Sequence, residues 1–439
     1  MLEANVSQDP VARSAMNKAL WRILPLILMA YLFAYIDRVN ISFAATQMND
    51  DLRFSATIYG LGGGLFFLGY ALFEIPSNLM LVRFGARKWI ARIMITWGLL
   101  SAGMMFVQTP MQFYILRFLL GVAEAGFYPG VIYYFSGWFP VCHRGRAVSR
   151  FYVASPLASI VMGGVSGRLL ALDGLGSLHG WQWLFLVQGL PAALAGLIVL
   201  RYLPDAPATV PWLTQPEKDW IHASLAAEQA RIGEPPRHDV LAAFRNPRTL
   251  LLGAIGFLNI AVIITFILSA PMVLAESTGL GVKQVGYLVS LGGIVGAACM
   301  LYAGNHADRH GDRFLNAFWL SILMAAALLV IGLSGAPIVV MVAYVAFAAA
   351  CFTTPMLLSS GWAEVLHVRE LAVGAAAINT MAQIGAFVSP YGWGALRDAT
   401  GSFQTGLMAL VAMSVALAAL TLLLRHQVRG RRPSVAVAA

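Results

Sequence analysis

Charge is what this sequence has least of. Of its 439 residues, 11% are charged and 59% are hydrophobic, and the mean hydropathy is +0.73. Soluble domains carry about 25% charged residues, so a water-soluble globule is excluded. Short strands of alternating polarity are missing too, which excludes a transmembrane β-barrel. Cysteine is scarce: Cys142, Cys299 and Cys351 lie far apart and lack metal-ligand spacing. The sequence therefore indicates neither a disulfide framework nor a metal site. No catalytic triad, metal cluster or phosphate loop is present, so neither an enzyme nor a bound cofactor is expected. Residues 1–19 are mostly polar, and the first apolar run is long and lacks a small-residue cleavage site. A retained first helix is expected, not a cleaved signal.

Apolar runs are what the chain has in abundance. Twelve are long enough to cross a bilayer as helices, near 20–45, 57–81, 89–108, 111–136, 147–170, 182–203, 248–275, 284–304, 314–333, 336–364, 371–394 and 402–424. The class is an all-α polytopic membrane protein. The longest polar gap, 204–247, has Pro-rich ends and an amphipathic middle, and reads as a linker with a short surface helix.

The net charge of +9 is explained by topology. With both termini cytoplasmic, nearly all 29 basic residues fall in cytoplasmic loops. Arg53, Arg168, Lys283 and Arg397 fall on the opposite side, and Arg38 and Arg117 lie inside spans. This obeys the positive-inside rule, so no nucleic-acid partner is implied.

The chain also repeats itself. RFGAR at Arg83–Arg87 after span two returns as RHGDR at Arg309–Arg313 after span eight. Pro129 in span four returns as Pro355 in span ten, each followed by a Gly-Trp pair. RGRAV after span four returns as RELAV after span ten. Three matches in one order at nearly one spacing predict two parallel six-helix repeats. They comprise residues 1–203 and 248–439, joined by 204–247, with a site near mid-membrane between them.

Twelve helices, a long central loop and Gly-rich basic turns resemble the major facilitator superfamily over nearly the whole chain. The first turn has Val82 where the superfamily usually has Asp; the second, with Asp308 and Arg309, is closer to the full pattern. YIDRVNISFA, FFLGYALFEIPSNL and RFLLGVAEAGFYPG…WFP resemble its anion:cation symporter branch. That branch includes proton-driven permeases for galactonate, glucarate, tartrate, phthalate and hydroxyphenylacetate. The resemblance implies a bacterial inner-membrane symporter that takes up a small organic carboxylate with protons as the coupling ion. A monomer suffices.

The residues themselves frame the chemistry. AYIDRVN places Asp37 beside Arg38 at membrane depth, where each charge costs roughly 2.5–3.5 kcal/mol or more. Tyr31, Tyr35, Arg38 and Ser42 follow the i, i+4, i+7, i+11 spacing of one helix face. That stripe is suited to bind a carboxylate, because Arg pairs bidentately where Lys cannot. Adjacent residues point about 100° apart, so Asp37 is poorly placed to neutralise Arg38 within the helix. Asp37 is equally suited to carry a proton or to balance Arg38 for insertion. Arg117, Gly121, Glu124 and Tyr128 share a second such face. The resemblance makes Glu124 a proton carrier and Arg117 its coupling partner. A buried interhelical salt-bridge set is the alternative.

The second half offers mainly neutral groups at depth, including Asn259, Thr265, Ser359, Ser360, Asn379, Gln383 and Ser389. By resemblance, such groups contact the organic part of the substrate; interhelical hydrogen bonding is the alternative. Tyr70 and Trp362 are candidate cavity walls. Arg83, Arg87, Asp308 and Arg309 are candidate gate residues, with Glu74 expected beside them. Neutral hydroxyl-recognising groups lean toward a hydroxy or sugar acid such as tartrate or galactonate. Aromatic acids (phthalate, 4-hydroxyphenylacetate) and export or exchange by the same fold remain alternatives. A carrier with unloaded buried acids is expected to resist closing.

Overall fold

The computed structural model describes residues 9–232, 246–310, 312–366 and 371–429. Among them all regular structure is helical. The first half comprises α1 (Pro10–Asp51), α2 (Ala56–Phe84), α3 (Ala86–Gly103), α4 (Pro110–Glu124), α5 (Phe127–Ser136), α6 (Val141–Tyr152), α7 (Ala154–Leu170) and α8 (Gly180–Tyr202). Helix α9 (Gln215–Ile232) lies inside the central polar segment. The second half comprises α10 (Pro247–Thr278), α11 (Val282–His310), α12 (Arg313–Leu333), α13 (Pro337–Ser360), α14 (Leu371–Thr400) and α15 (Gln404–Arg429).

Eleven segments among the described residues are long and apolar enough to cross a membrane. The sequence reading counted twelve. The twelfth expected span is α14, a 30-residue helix whose first three side chains lie outside the described residues. It packs against α10 and α2. Large apolar side chains such as Leu194, Leu197 and Ile338 stand exposed on the periphery, as a lipid-facing surface requires.

Helix pairs recur with a shift of six spans. α3 packs on α8 as α12 packs on α15, α2 on α4 as α11 on α13, and α1 on α7 as α10 on α14. Three pairs join the halves: α2 with α14, α7 with α11, and α1 with α10.

These seams are tight on the side away from the chain ends. A Cβ on Gly163 would collide with the Gly286 carbonyl, and one on Gly60 with the Pro390 carbonyl. The carboxylate of Asp398, at the end of α14, accepts hydrogen bonds from the Ala56 and Thr57 amides of α2 at 3.0 and 2.8 Å. Ser55 Oγ accepts from the Ile58 amide at 3.3 Å. Three orphan donors of the α2 N-terminus are thus satisfied, two of them by the other half. Toward the terminal side the seams open around a cavity.

On that terminal side α1 runs well past the bilayer: 42 residues make a helix of about 63 Å. Its first turns hold α9. Glu217 accepts from Lys18 Nζ at 2.8 Å, Ser14 Oγ at 2.6 Å and the Thr214 amide at 2.8 Å. At its other end, Glu228 accepts from Arg144 at 2.9 Å and from the Val141 amide at 3.0 Å.

Candidate functional site

The fourth span breaks directly after Glu124. Gly126 adopts φ +83°, a conformation that disfavours residues with a side chain, and α5 starts anew at Phe127. The break frees the Ala125 carbonyl, which accepts from Ser77 Oγ at 2.6 Å; Ser77 in turn accepts from Trp89 Nε1 at 3.0 Å. The Ser of FEIPSN therefore stabilises the bend that presents Glu124 at mid-membrane.

Glu124 is fully buried and pairs with Arg38. One carboxylate oxygen accepts from Arg38 Nη2 at 2.5 Å and from Nε at 3.0 Å. The Arg38 guanidinium also lies 5.6 Å from the Tyr70 ring and 5.8 Å from Phe66. Arg117 sits 4.9 Å from Phe66 and donates to the Gly62 carbonyl at 3.3 Å. Both guanidiniums thus lie within about 6 Å of one aromatic ring. Asp37 faces elsewhere: its Oδ1 accepts from Ser101 Oγ and, at 3.3 Å, from Asn40 Nδ2. Phe66 and Ser101 were missed in the sequence, where an aromatic in a glycine-rich span and a lone serine give no signal.

Two contiguous lobes of a cavity separate the halves. The narrow lobe, about 170 Å³, is lined by Tyr31, Tyr35, Arg38, Tyr152 and Ser155 among others. Tyr31 also stacks on Phe151 at 4.1 Å, which fixes its ring. Arg38 keeps 24% of its side chain exposed while its partner has none. The wide lobe, about 440 Å³, opens on the terminal side and is lined by Glu74, Tyr128, Asn259, Ser359, Trp362 and Asn379 among others. Tyr152, Ile260 and Pro355 line both lobes, and the Tyr128 and Tyr152 hydroxyls meet at 2.5 Å. Ample room for a drug-sized or smaller ligand is typical of such interfacial pockets.

Several candidates fall elsewhere than expected. Tyr70 is buried beneath Arg38 and does not line either lobe. Gln383 is half-buried and does not line the wide lobe, although Asn379 one turn earlier does. Glu74 is not beside the basic turns. It projects into the wide lobe, and Asn379 Nδ2 of α14 donates to both of its oxygens, at 3.0 and 2.7 Å. Arg87 pairs with Asp205 at 2.8 Å, and Arg83 lies 5.7 Å from the Phe84 ring. Gly85, between them, requires its glycine at φ +88°. The side chains of Asp308 and Arg309 lie outside the described residues.

Comparison with known proteins places this geometry. Residues 27–390 match the Major Facilitator Superfamily. A proposed tartrate transporter of Agrobacterium vitis is 40% identical over 95% of this chain and 93% of its own length. A quinolone resistance transporter of Acinetobacter baumannii is 39% identical over 88% of this chain and 89% of its own. A bacterial homologue of the human lysosomal transporter Spinster, solved in an inward-facing and unoccupied conformation, superposes with a TM-score of 0.72. It is 18% identical, and the match covers 98% of this chain and 100% of that one. The molecule is a polytopic membrane transport protein for small-molecule substrates, not an enzyme. It belongs to the Major Facilitator Superfamily, and its relatives are consistent with the anion:cation symporter branch.

Proposed function

We propose that the protein imports a small organic carboxylate with protons across the bacterial inner membrane. A hydroxy or sugar acid such as tartrate or galactonate is the favoured substrate class. The carrying observation is the Arg38–Glu124 pair: a fully buried acid holds a guanidinium that is itself exposed to the cavity.

This pair gives coupling a charge balance. With the site empty, Arg38⁺ and Glu124⁻ cancel. When Glu124 takes a proton, Arg38 is released to bind a carboxylate, and the site is neutral again. A proton without substrate leaves an unpaired cation, and substrate without a proton leaves an excess anion. Both are costly at membrane depth. At this pair the empty and the loaded site are both neutral, so the resistance of an unloaded carrier to closing is left to the other buried acids. Neutral empty and loaded states rock the halves; the charged mixtures stall.

Further support comes from the 40% identical relative whose name assigns it tartrate. Asp37 serves as a second proton site or as a charge that balances Arg117, and Arg117 helps hold the cluster. The positive-inside distribution makes the terminal side cytoplasmic, so the described state is open inward. Asn379, Ser359 and Trp362 serve the organic part of the substrate. Arg83, Arg87 and the second turn with Asp308 and Arg309 serve the inner gate.

The test is substrate-driven proton entry in proteoliposomes over sugar acids, tartrate isomers and aromatic acids, wild type beside Arg38→Ala. Acid entry without protons overturns the coupling role of Glu124. The second reading is export or exchange, favoured by the relative named for quinolone resistance. Efflux driven by an inward-directed proton gradient distinguishes an exporter, since a symporter moves its substrate outward only along with protons.

A further inference from the structure

The wide lobe differs in chemistry from the narrow one. The narrow lobe has a cation, Arg38. Among the described residues the wide lobe is lined by no basic side chain and by one acid, Glu74. The Asn379 amide approaches both Glu74 oxygens at hydrogen-bonding distance, as it does for a carboxylate with two acceptors. Asn259 lines the same lobe, is 3% exposed, and its Oδ1 has no hydrogen-bond partner among the described residues. Buried acceptors without donors are costly, and each favours a ligand that brings a donor.

The two poles stand close along the helices. Tyr70 and Glu74 are four residues apart on α2 and share one face, so Glu74 lies about one turn, roughly 6 Å, from Tyr70. Arg38 lies over the Tyr70 ring at 5.6 Å. A ligand with its carboxylate on Arg38 therefore extends toward Glu74 within a few carbon atoms.

We infer that Glu74, with Asn259, forms an acceptor subsite for a hydroxyl or ammonium group at the end of the substrate remote from its carboxylate. Glu74 makes the cavity bipolar, so it sets specificity: donor-bearing and zwitterionic acids are preferred, and an apolar end is not. A second carboxylate at that end meets an acid and is admitted only with a proton of its own, so within the proposed class galactonate, a monoacid with a hydroxyl end, is favoured over the diacid tartrate. The inference rests on the reading of Arg38 as the carboxylate anchor.

The test is a ladder of six-carbon acids differing only at the far end: 6-aminohexanoate, 6-hydroxyhexanoate, hexanoate and adipate. Binding to the purified full-length protein is measured by calorimetry for wild type, Glu74→Gln and Arg38→Ala. Wild type is expected to bind 6-aminohexanoate about tenfold or more tighter than hexanoate, and adipate least, since hydrogen bonds to charged groups are the stronger ones. Glu74→Gln is expected to collapse the ammonium preference to about threefold or less and to raise adipate affinity. Arg38→Ala is expected to lose the whole ladder. Equal binding of 6-aminohexanoate and hexanoate by wild type overturns the inference without any variant. A preference that survives Glu74→Gln overturns it as well, with the Arg38 anchor intact. If wild type binds no acid, or Arg38→Ala binds the ladder unchanged, the anchor itself fails and the inference with it.

Discussion

The two halves share a packing plan and differ in chemistry. The first half places Asp37, Arg38, Glu74, Arg117 and Glu124 at membrane depth. The second answers with neutral groups: Asn259, Ser359 and Asn379 on the cavity wall. A repeat that preserves helix pairing does not need to preserve charge. Charges that must be neutralised in turn are easiest to manage when they lie within reach of one another on one rigid unit. The other half is then free to shape what is recognised.

The strongest way to break this comparison is to remove its central cation. Arg38→Ala leaves Glu124 buried without its partner, which costs about 3–5 kcal/mol. Transport and thermal stability should both fall. Adding Glu124→Gln should restore much of the stability and none of the transport, as melting and uptake assays would show. If the double variant melts no higher than the single, the pair is not the main source of the loss.

Glu124→Gln alone should separate coupling from carriage. It fixes the protonated-like state, so proton-driven accumulation should be lost while substrate counterflow continues. Loss of both would assign Glu124 a structural role.

A smaller effect is expected at the far seam. Asp398→Ala removes two bonds from the α2 N-terminus, and losses of this kind cost about 1 kcal/mol. Opening on that side should rise roughly fivefold, read as maleimide labelling of Phe387→Cys in a background without Cys142, Cys299 and Cys351. On the second half, Asn379→Ala should change apparent affinity severalfold, whereas Gln383→Ala should change it less than about twofold. Equal effects would mean that the lining was misjudged.

The smallest effect lies outside the membrane. Burial alone would raise the Glu217 carboxyl, but hydrogen bonds from Lys18, Ser14 and the Thr214 amide hold it down at about 2. Its folded pKa lies below the ordinary value of 4.5, so the clasp contributes fully above that value and is lost as pH falls toward 2. Melting measured from pH 6 to pH 3 should decline, and Lys18→Ala should flatten that decline.

Much of the charged half was legible because periodicity is local. The stripe from Tyr31 to Ser42, and the one from Arg117 to Tyr128, follow from helix geometry alone. That geometry also excluded a tight Asp37–Arg38 pair. What it could not supply was the partner, because Glu124 reaches across from α4 to Arg38 on α1 only in the folded bundle, at the break before Gly126. Ser101 and Phe66 were invisible for the same reason. Glu74 was grouped with the inner turn by its sequence neighbours, while the packing of α2 against α14 sets it against Asn379 in the wide lobe. Gln383 shows the limit of a face argument: four residues turn a helix by about 40° past a full turn, enough to leave a cavity wall.

One feature at the periphery has a practical use. α9 is fastened at Glu217 to α1 and at Glu228 to Arg144 and the start of α6, all in the first half. It therefore travels with that half as an outrigger. A spin label or fluorophore on its exposed face, paired with one at the terminal-side end of α15, becomes a ruler outside the lipid. Each transport cycle could then be followed as a change in one distance, with no probe inside the cavity.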